Sequence, residues 1–368
     1  MAQKEIQIGS HQVGQGNPVF IIAEAGVNHD GDMGKAKKLI EAAKASGADA
    51  VKFQSFSAER LVRRNAPKAA YQNRNIGSAI SQFDMLKRLE LAQWQAVMLK
   101  KYAESVGIIF LSTAYDETAV DELEEIGVVA HKLASIEVVN HPLIKRTART
   151  GKPVILSVGM ALSIEVVEAV LTFRVEAAGL GRSPDNLILL QCNTNYPAKP
   201  EDQHLRAMES LRKSVSVVGF SDHTIGPVVS IGAVALGANV IERHFTLNKQ
   251  DPGPDHQASM ELEEFAGFVE AVRVMEKALG SPEVKPRGGE LENIVGMRKS
   301  ICAARPIRKG EVITLDMLAY KRPGGGLYPL SYNLKRIVGS RAVRGIMADE
   351  NILFTDVDFK HLRMEDLP

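Results

Sequence analysis

Between residues 19 and 247 the chain repeats one unit eight times: a short apolar, β-branched run, then a longer stretch of helical periodicity. The strand candidates span residues 19–26, 50–56, 108–115, 129–135, 153–160, 187–193, 215–223 and 240–247. Helix candidates follow them, for example 33–46, 164–177 and 262–279. Gly47, Gly107, Gly127, Gly151 and Gly280 stand where a left-handed residue closes a helix. Strands that are apolar on both faces and separated by helices pair in parallel, and eight such α/β units close as a (β/α)8 TIM barrel. A barrel of this kind takes about 250 residues, so a chain of 368 has room for a second domain. The expected division is a catalytic barrel over 1–280, a linker over 281–297 rich in Pro and Gly, and a small β-rich domain over 298–368. Within that domain Ile307, Glu311 and Ile313 are echoed at the same spacing by Ile346, Glu350 and Ile352, which predicts two related half-units.

Charge and composition remove several classes of function. With 45 basic and 44 acidic side chains the net charge is +1, which offers no basic stripe for a nucleic-acid backbone. Residues 226–241, the longest apolar stretch, fall short of the ~20 residues that cross a bilayer, so no membrane partner is expected. They read as a buried helix running into a strand. Residues 1–16 are polar, without the apolar core of a secretion signal, and Cys192 and Cys302 belong to no CxxC pattern. A cytoplasmic protein with reduced thiols is expected. No Gly-rich nucleotide loop occurs; Gly324-Gly325-Gly326 reads as a flexible turn.

A TIM barrel does its chemistry at the C-terminal ends of its strands, and nearly every candidate strand ends in polar residues. In chain order these are Glu24; Lys52 and Gln54; Ser112; Lys132 and Ser135; Ser157; Asn193, Thr194 and Tyr196; Ser221, Asp222 and His223; and Glu242, Arg243 and His244. Taken singly, a strand lysine is as often a structural ion-pair partner and a serine more often a backbone-bonding hydroxyl. Eight convergent strand ends argue for a site that holds an anionic substrate through side chains. His223 and His244 end neighbouring strands, so their imidazoles are candidate ligands for one divalent metal; either one read alone is also an ordinary core histidine. Asp255 reads equally as a third ligand, a substrate contact or a turn former. Residues 57–84 are longer than a barrel loop needs and carry Arg63, Arg64, Lys68, Tyr71 and Arg74, the composition of a candidate lid over an active site.

The runs around Ile21 to His29, Val51 to Gln54, His131 to Ser135, Gly219 to Thr224 and Ile241 to Thr246 resemble, in order, the bacterial sialic acid synthase family, which includes N-acetylneuraminate, legionaminate and pseudaminate synthases. Lys321-Arg322-Pro323-Gly324 is similar to that family's C-terminal antifreeze-like (SAF, β-clip) domain. The resemblance implies a phosphoenolpyruvate-dependent condensation with an N-acetylated mannose-type sugar, catalysed by a domain-swapped homodimer. It implies a divalent metal on His223 and His244, Mn²⁺ first and Mg²⁺ or Co²⁺ as alternatives. Lys52, Lys132, Ser135, Ser157 and Ser221 would then hold the carboxylate and phosphate of phosphoenolpyruvate, with Glu24 handling protons. Gln54, Tyr196 and Asp255 would face the sugar, and Arg322 would reach its N-acetyl group from the partner subunit.

One position departs from the pattern. The N-acetylneuraminate branch has Thr-Asn-x-Tyr-Pro where this chain reads Asn193-Thr194-Asn195-Tyr196-Pro197, so Thr194 replaces an expected asparagine in the substrate-binding set. The acceptor is therefore left as N-acetylmannosamine or the 2,4-diacetamido-2,4,6-trideoxymannose of legionaminate synthesis, with pseudaminate synthesis less favoured. Two rivals are weighed against this reading. A barrel aldolase or shorter keto-acid synthase would share the anion-binding strand ends without needing Arg322. An ice- or carbohydrate-binding module on an inert barrel conflicts with Arg305, Arg308, Lys309, Lys321, Arg322 and Arg336 on the small domain.

Overall fold

A computed structural model describes residues 5–76 and 80–358. Part of the expected lid (77–79), the first four residues and the last ten of the expected second domain lie outside the described residues. The chain divides into two compact units, residues 1–280 and 281–368.

In the first unit eight parallel strands form a closed barrel: β3 (Phe20–Gly26), β4 (Ala50–Ser55), β5 (Ile109–Ala114), β6 (His131–Leu133), β7 (Val154–Ser157), β8 (Leu187–Cys192), β9 (Val217–Asp222) and β10 (Val240–His244), with β10 pairing back onto β3. Side chains alternate along each strand. In β3, Ile21, Ala23 and Ala25 point outward into the core shared with the helices, whereas Phe20 and Ile22 join the core inside the barrel. The inner core is completed by Ala50, Leu111, Ala130, Ile155, Ile188, Leu190, Val217 and Val240. The same parity carried two residues further along each strand brings Glu24, Lys52, Thr113, Lys132, Ser157, Cys192 and Glu242 onto the inward face, with Ser221 four residues beyond Val217. An apolar plug thus lies beneath a polar layer.

The N-terminal segment, expected only to be polar, forms a hairpin of β1 (Ile6–Ile8) and β2 (His11–Val13). Ile6, Ile8 and Val13 bury against the inner core and cover the N-terminal mouth of the barrel. Three apolar residues among polar neighbours give a weak periodicity, and only the barrel floor supplies their partner. Of the expected glycine caps, Gly107 and Gly127 adopt left-handed φ values of 80° and 79°, while Gly280 has ψ of −131° and ends its helix in another conformation. The stretch 226–241 is a helix, Val228–Ala235, followed by β10 as expected, but it is buried on one side only, with Val228 77% exposed.

The second unit is built from two short antiparallel pairs, β11 (Ser300–Ala303) with β12 (Leu318–Lys321) and β13 (Arg341–Ala342) with β14 (Val357–Asp358). The echoed segments are paired to each other, Ile307 with Ile346. They also repeat one local structure: Arg308 N donates to Glu311 Oε2 (2.8 Å), Met347 N donates to Glu350 Oε2 (2.7 Å), and Gly310 and Asp349 both have positive φ. Ile307, Ile313, Ile346 and Ile352 are all in this unit's core. Within the stretch expected as linker, residues Glu290–Met297 form a helix.

Candidate active site

The polar layer lines a cavity of about 450 Å³. Of the barrel residues singled out above, Glu24, Lys52, Gln54, Lys132, Ser135, Ser157, Thr194, Tyr196, Ser221, His223, Glu242, His244 and Asp255 border it, whereas Ser112, Asn193, Asp222 and Arg243 do not. Arg322 is exposed in the second unit, in the turn after β12.

At the floor, charges of opposite sign interlock. Lys52 Nζ lies 2.6 Å from Glu24 Oε2, donates to Thr113 Oγ1 at 2.7 Å and lies 3.6 Å from Glu242 Oε2. Lys132 Nζ donates to Ser157 Oγ (2.9 Å) and lies 3.6 Å from Glu242 Oε1, which also accepts from Ser221 Oγ at 3.1 Å. Burial raises the Glu24 carboxyl to about 7 against the pull of Lys52, with Glu242 adding to the rise. Burial lowers the Lys132 ammonium. Lys52 is held above its ordinary value because Glu24 and Glu242 outweigh its burial. The strand pairing shifts register between Glu24 and Gly26. A Cβ at Gly26 would come within 3.1 Å of Glu24 Oε1 and 3.3 Å of Gln54 Nε2, so the absent side chain leaves room for the Gln54 Nε2 to Glu24 Oε1 bond of 3.1 Å. Tyr115 Oη extends the chain by donating to Gln54 Oε1 at 3.2 Å.

His223 and His244 lie side by side with ring centres 5.3 Å apart. Tyr196 stacks on His223 at 4.0 Å and meets His244 edge-on at 5.2 Å, and Tyr71 stacks on Tyr196 at 4.8 Å. His223 Nδ1 faces the carbonyl of Asn193, which places the proton on Nδ1 and leaves the lone pair on Nε2. His244 Nδ1 is buried without a hydrogen-bond partner, 3.8 Å from Asp255 Oδ2. Burial, joined by the charge of His223 and Lys52, holds the His244 imidazole well below its ordinary value and therefore neutral. A neutral imidazole with an unused buried nitrogen, beside a second imidazole and a carboxylate, is a donor set that fits a divalent transition metal. Burial raises the Asp255 carboxyl to about 6.

Glu242 is the main residue whose placement strand-end reading left unassigned. Its position two residues before His244 fixes its face, but not that it sits between two lysines from other strands. Ser135 Oγ accepts from Gly159 N at 3.0 Å. Asp222 and Arg243 turn away from the cavity into a buried ion pair of 2.7 Å, with Arg243 also donating to the carbonyls of Gly226 and Thr224. A second group of possible ligands, Asp30, Asp251 and His256, has its donor atoms within 4.8 Å of one another outside the cavity lining, and Lys35 Nζ bonds both carboxylates there.

Residues 39–284 match the model of the NeuB family and residues 298–358 that of the SAF domain. The N,N'-diacetyllegionaminic acid synthase of Legionella pneumophila is 43% identical over 341 residues, covering 92% of this chain and 94% of that protein. The human N-acetylneuraminate-9-phosphate synthase is 36% identical, covering 94% of each. The crystal structure of the N-acetylneuraminic acid synthetase of Leptospira borgpetersenii, in complex with citrate, superposes with a TM-score of 0.69 at 33% identity, over 79% of this chain and 95% of that one. A polar barrel mouth with paired lysines and paired imidazoles, carried on a chain that matches both family models in order, places this protein in the NeuB family, with a SAF domain as its second unit.

Proposed function

We propose that this chain condenses phosphoenolpyruvate with an N-acetylated mannose-type sugar, releasing phosphate and forming a nine-carbon nonulosonic acid. The observation that carries the reading is the pairing of two buried lysines with two neighbouring buried imidazoles around one cavity. Lys52 and Lys132, with the hydroxyls of Ser135, Ser157 and Ser221, bind the carboxylate and phosphate of phosphoenolpyruvate. Positive charge and fixed dipoles in a water-poor site stabilise developing anions strongly. Carbon 3 of the enol attacks the aldehyde carbon of the open-chain sugar. Water adds at carbon 2, and the carbon–oxygen bond to phosphate then breaks.

His223 and His244 would hold a divalent ion, Mn²⁺ in first place, with Asp255 as a third ligand or a sugar contact. The ion, when bound, supplies Lewis-acid polarisation of the acceptor carbonyl. Glu24, with its carboxyl near 7, suits taking or giving a proton at Oε2, which faces Lys52, to the attacking water or a sugar hydroxyl. Gln54, Thr194 and Tyr196 border the acceptor side. The exposed Arg322 is proposed to complete the site of a partner copy in a domain-swapped homodimer. Free Cys192 and Cys302 support a reducing, cytoplasmic setting, and among the described residues no helix is long and apolar enough to cross a membrane.

The acceptor is N-acetylmannosamine or its 2,4-diacetamido-2,4,6-trideoxy analogue; the 43% identity to the Legionella synthase supports the latter and the 36% identity to the human synthase the former. The test is phosphate release from phosphoenolpyruvate by purified protein with Mn²⁺ and each sugar in turn. Release with one sugar names the acceptor, and no release with either while the metal is bound sinks the reading.

A further inference from the structure

The loop that carries Asp255 is fastened to the loop after β3 by a bonded network that leaves the cavity wall. His256 is fully buried, with Nδ1 2.7 Å from Thr246 Oγ1 and Nε2 3.2 Å from both oxygens of Asp30. Lys35 Nζ bonds Asp30 and lies 2.5 Å from Asp251 Oδ2, closing a bridge between the two loops at the surface. The imidazole packs closely against the loop at Gly253, where a Cβ would lie 2.5 Å from His256 Cδ2. Asp30 has φ of 51°, a left-handed conformation that is uncommon for a non-glycine residue and persists where surrounding bonds enforce it.

A second bolt lies beside the first. Asn28 Nδ2 donates to Phe245 O and to Ser259 Oγ, both at 2.9 Å, and Ser259 Oγ donates to Asp255 O at 2.8 Å. From the other side Asn75 Nδ2 donates to Pro254 O at 2.6 Å. Asp255 therefore sits in a segment gripped at each end, and its carboxylate is held against His244.

Asp30, Asp251 and His256 have the composition of a cation site. The Lys35 ammonium already lies on both carboxylates and supplies the positive charge, so the group works as a clasp. We propose that His256, with Asp30, Lys35 and Asp251, is a positioning residue that fixes the Asp255 carboxylate for the sugar acceptor. This rests on the reading of Asp255 as an acceptor-side group. Displacing such a group by about 1 Å is enough to cost on the order of 100-fold in rate.

The test compares His256→Asn with His256→Gln. An asparagine amide takes the place of Nδ1 against Thr246 but falls short of Asp30, whereas a glutamine amide nitrogen takes the place of Nε2 and restores that bond. KM is measured separately for the sugar and for phosphoenolpyruvate, and tryptic cleavage after Lys249 is followed by mass in the substrate-free protein. His256→Asn is expected to raise the sugar KM by ~10-fold or more, in the range seen when an outer partner of a functional group is lost. It should leave the phosphoenolpyruvate KM nearly unchanged and speed cleavage at Lys249. His256→Gln should restore most of both. Should His256→Asn fail to fold, Asp251→Asn, at the surface, should shift the same two readouts in the same direction by less. Equal rises in both KM values, or unchanged sugar KM with unchanged cleavage, overturn the proposal. So does Mn²⁺ found at Asp30, Asp251 and His256 in a soaked crystal. If wild-type protein turns over neither sugar, the synthase reading fails, and cleavage at Lys249 still decides whether the clasp exists.

Discussion

Lys52 Nζ lies 2.6 Å from Glu24 Oε2 inside the barrel, and both side chains are 2% exposed. Removing one member of a buried pair leaves the other charge without water or partner, which typically costs about 3–5 kcal/mol. Lys52→Met strands Glu24 and deprives Glu242 of one of its two ammonium neighbours, so a loss of about that size is expected in urea unfolding of the barrel. Glu24→Gln should cost clearly less, because Lys52 keeps Glu242. Equal losses in the two variants would show that Glu242 does not share the lysine.

His244→Ala should abolish tight Mn²⁺ binding and turnover together. Outer partners of metal ligands change affinity by ~10–100-fold, and loss of a ligand is expected to exceed that range when Mn²⁺ is titrated calorimetrically. Unchanged manganese affinity in this variant removes His244 from the ligand set.

His29 carries a pH signature. Its imidazole is fully buried, and Nδ1 accepts from Gly31 N at 3.0 Å. Burial pulls it down to about 4, with Lys35 adding and Asp30 opposing. An unfolded chain takes up this proton near pH 6.5, whereas the fold resists until about 4. Stability from this group is therefore full above pH 6.5 and is lost as pH falls towards 4, by about 3 kcal/mol at most. His29→Asn, whose Oδ1 can accept from the same Gly31 N–H, should flatten the fall of Tm over that window. An undiminished slope in the variant would place the acid sensitivity elsewhere.

Gly219 sits in β9 where no side chain fits. A Cβ there would meet Val240 O at 2.2 Å and Leu190 Cδ2 at 2.7 Å. Overpacking costs typically ~1–3 kcal/mol and more against immovable backbone, so Gly219→Ala should lose most of its soluble yield or a large part of its thermal stability. A variant that melts like wild type would mean that β9 and β10 can part locally.

The barrel was legible because alternation along a strand is a local property. Once β3 is a strand with Phe20 and Ile22 inward, Glu24 must also face inward, and the same parity holds for Lys52 after Ala50 and Lys132 after Ala130. The echo at Glu311 and Glu350 was visible for the same reason, since each caps its own turn three residues back. The hairpin of residues 6–13 is not legible in the sequence, because its three apolar residues acquire meaning only against the barrel floor. The helix 290–297 leaves no such mark, because it has no buried face to impose a periodicity.

What the sequence determined on its own was the eightfold unit and, through side-chain parity, which polar residues crown the barrel. Tertiary structure alone decided their company: Glu242 between two lysines, Tyr196 stacked on His223 with Tyr71 against Tyr196, Asp255 brought beside His244 by a loop bonded to another strand's loop. Periodicity is set by neighbours along the backbone, whereas pairing between strands and loops far apart in the chain depends on closure of the whole barrel.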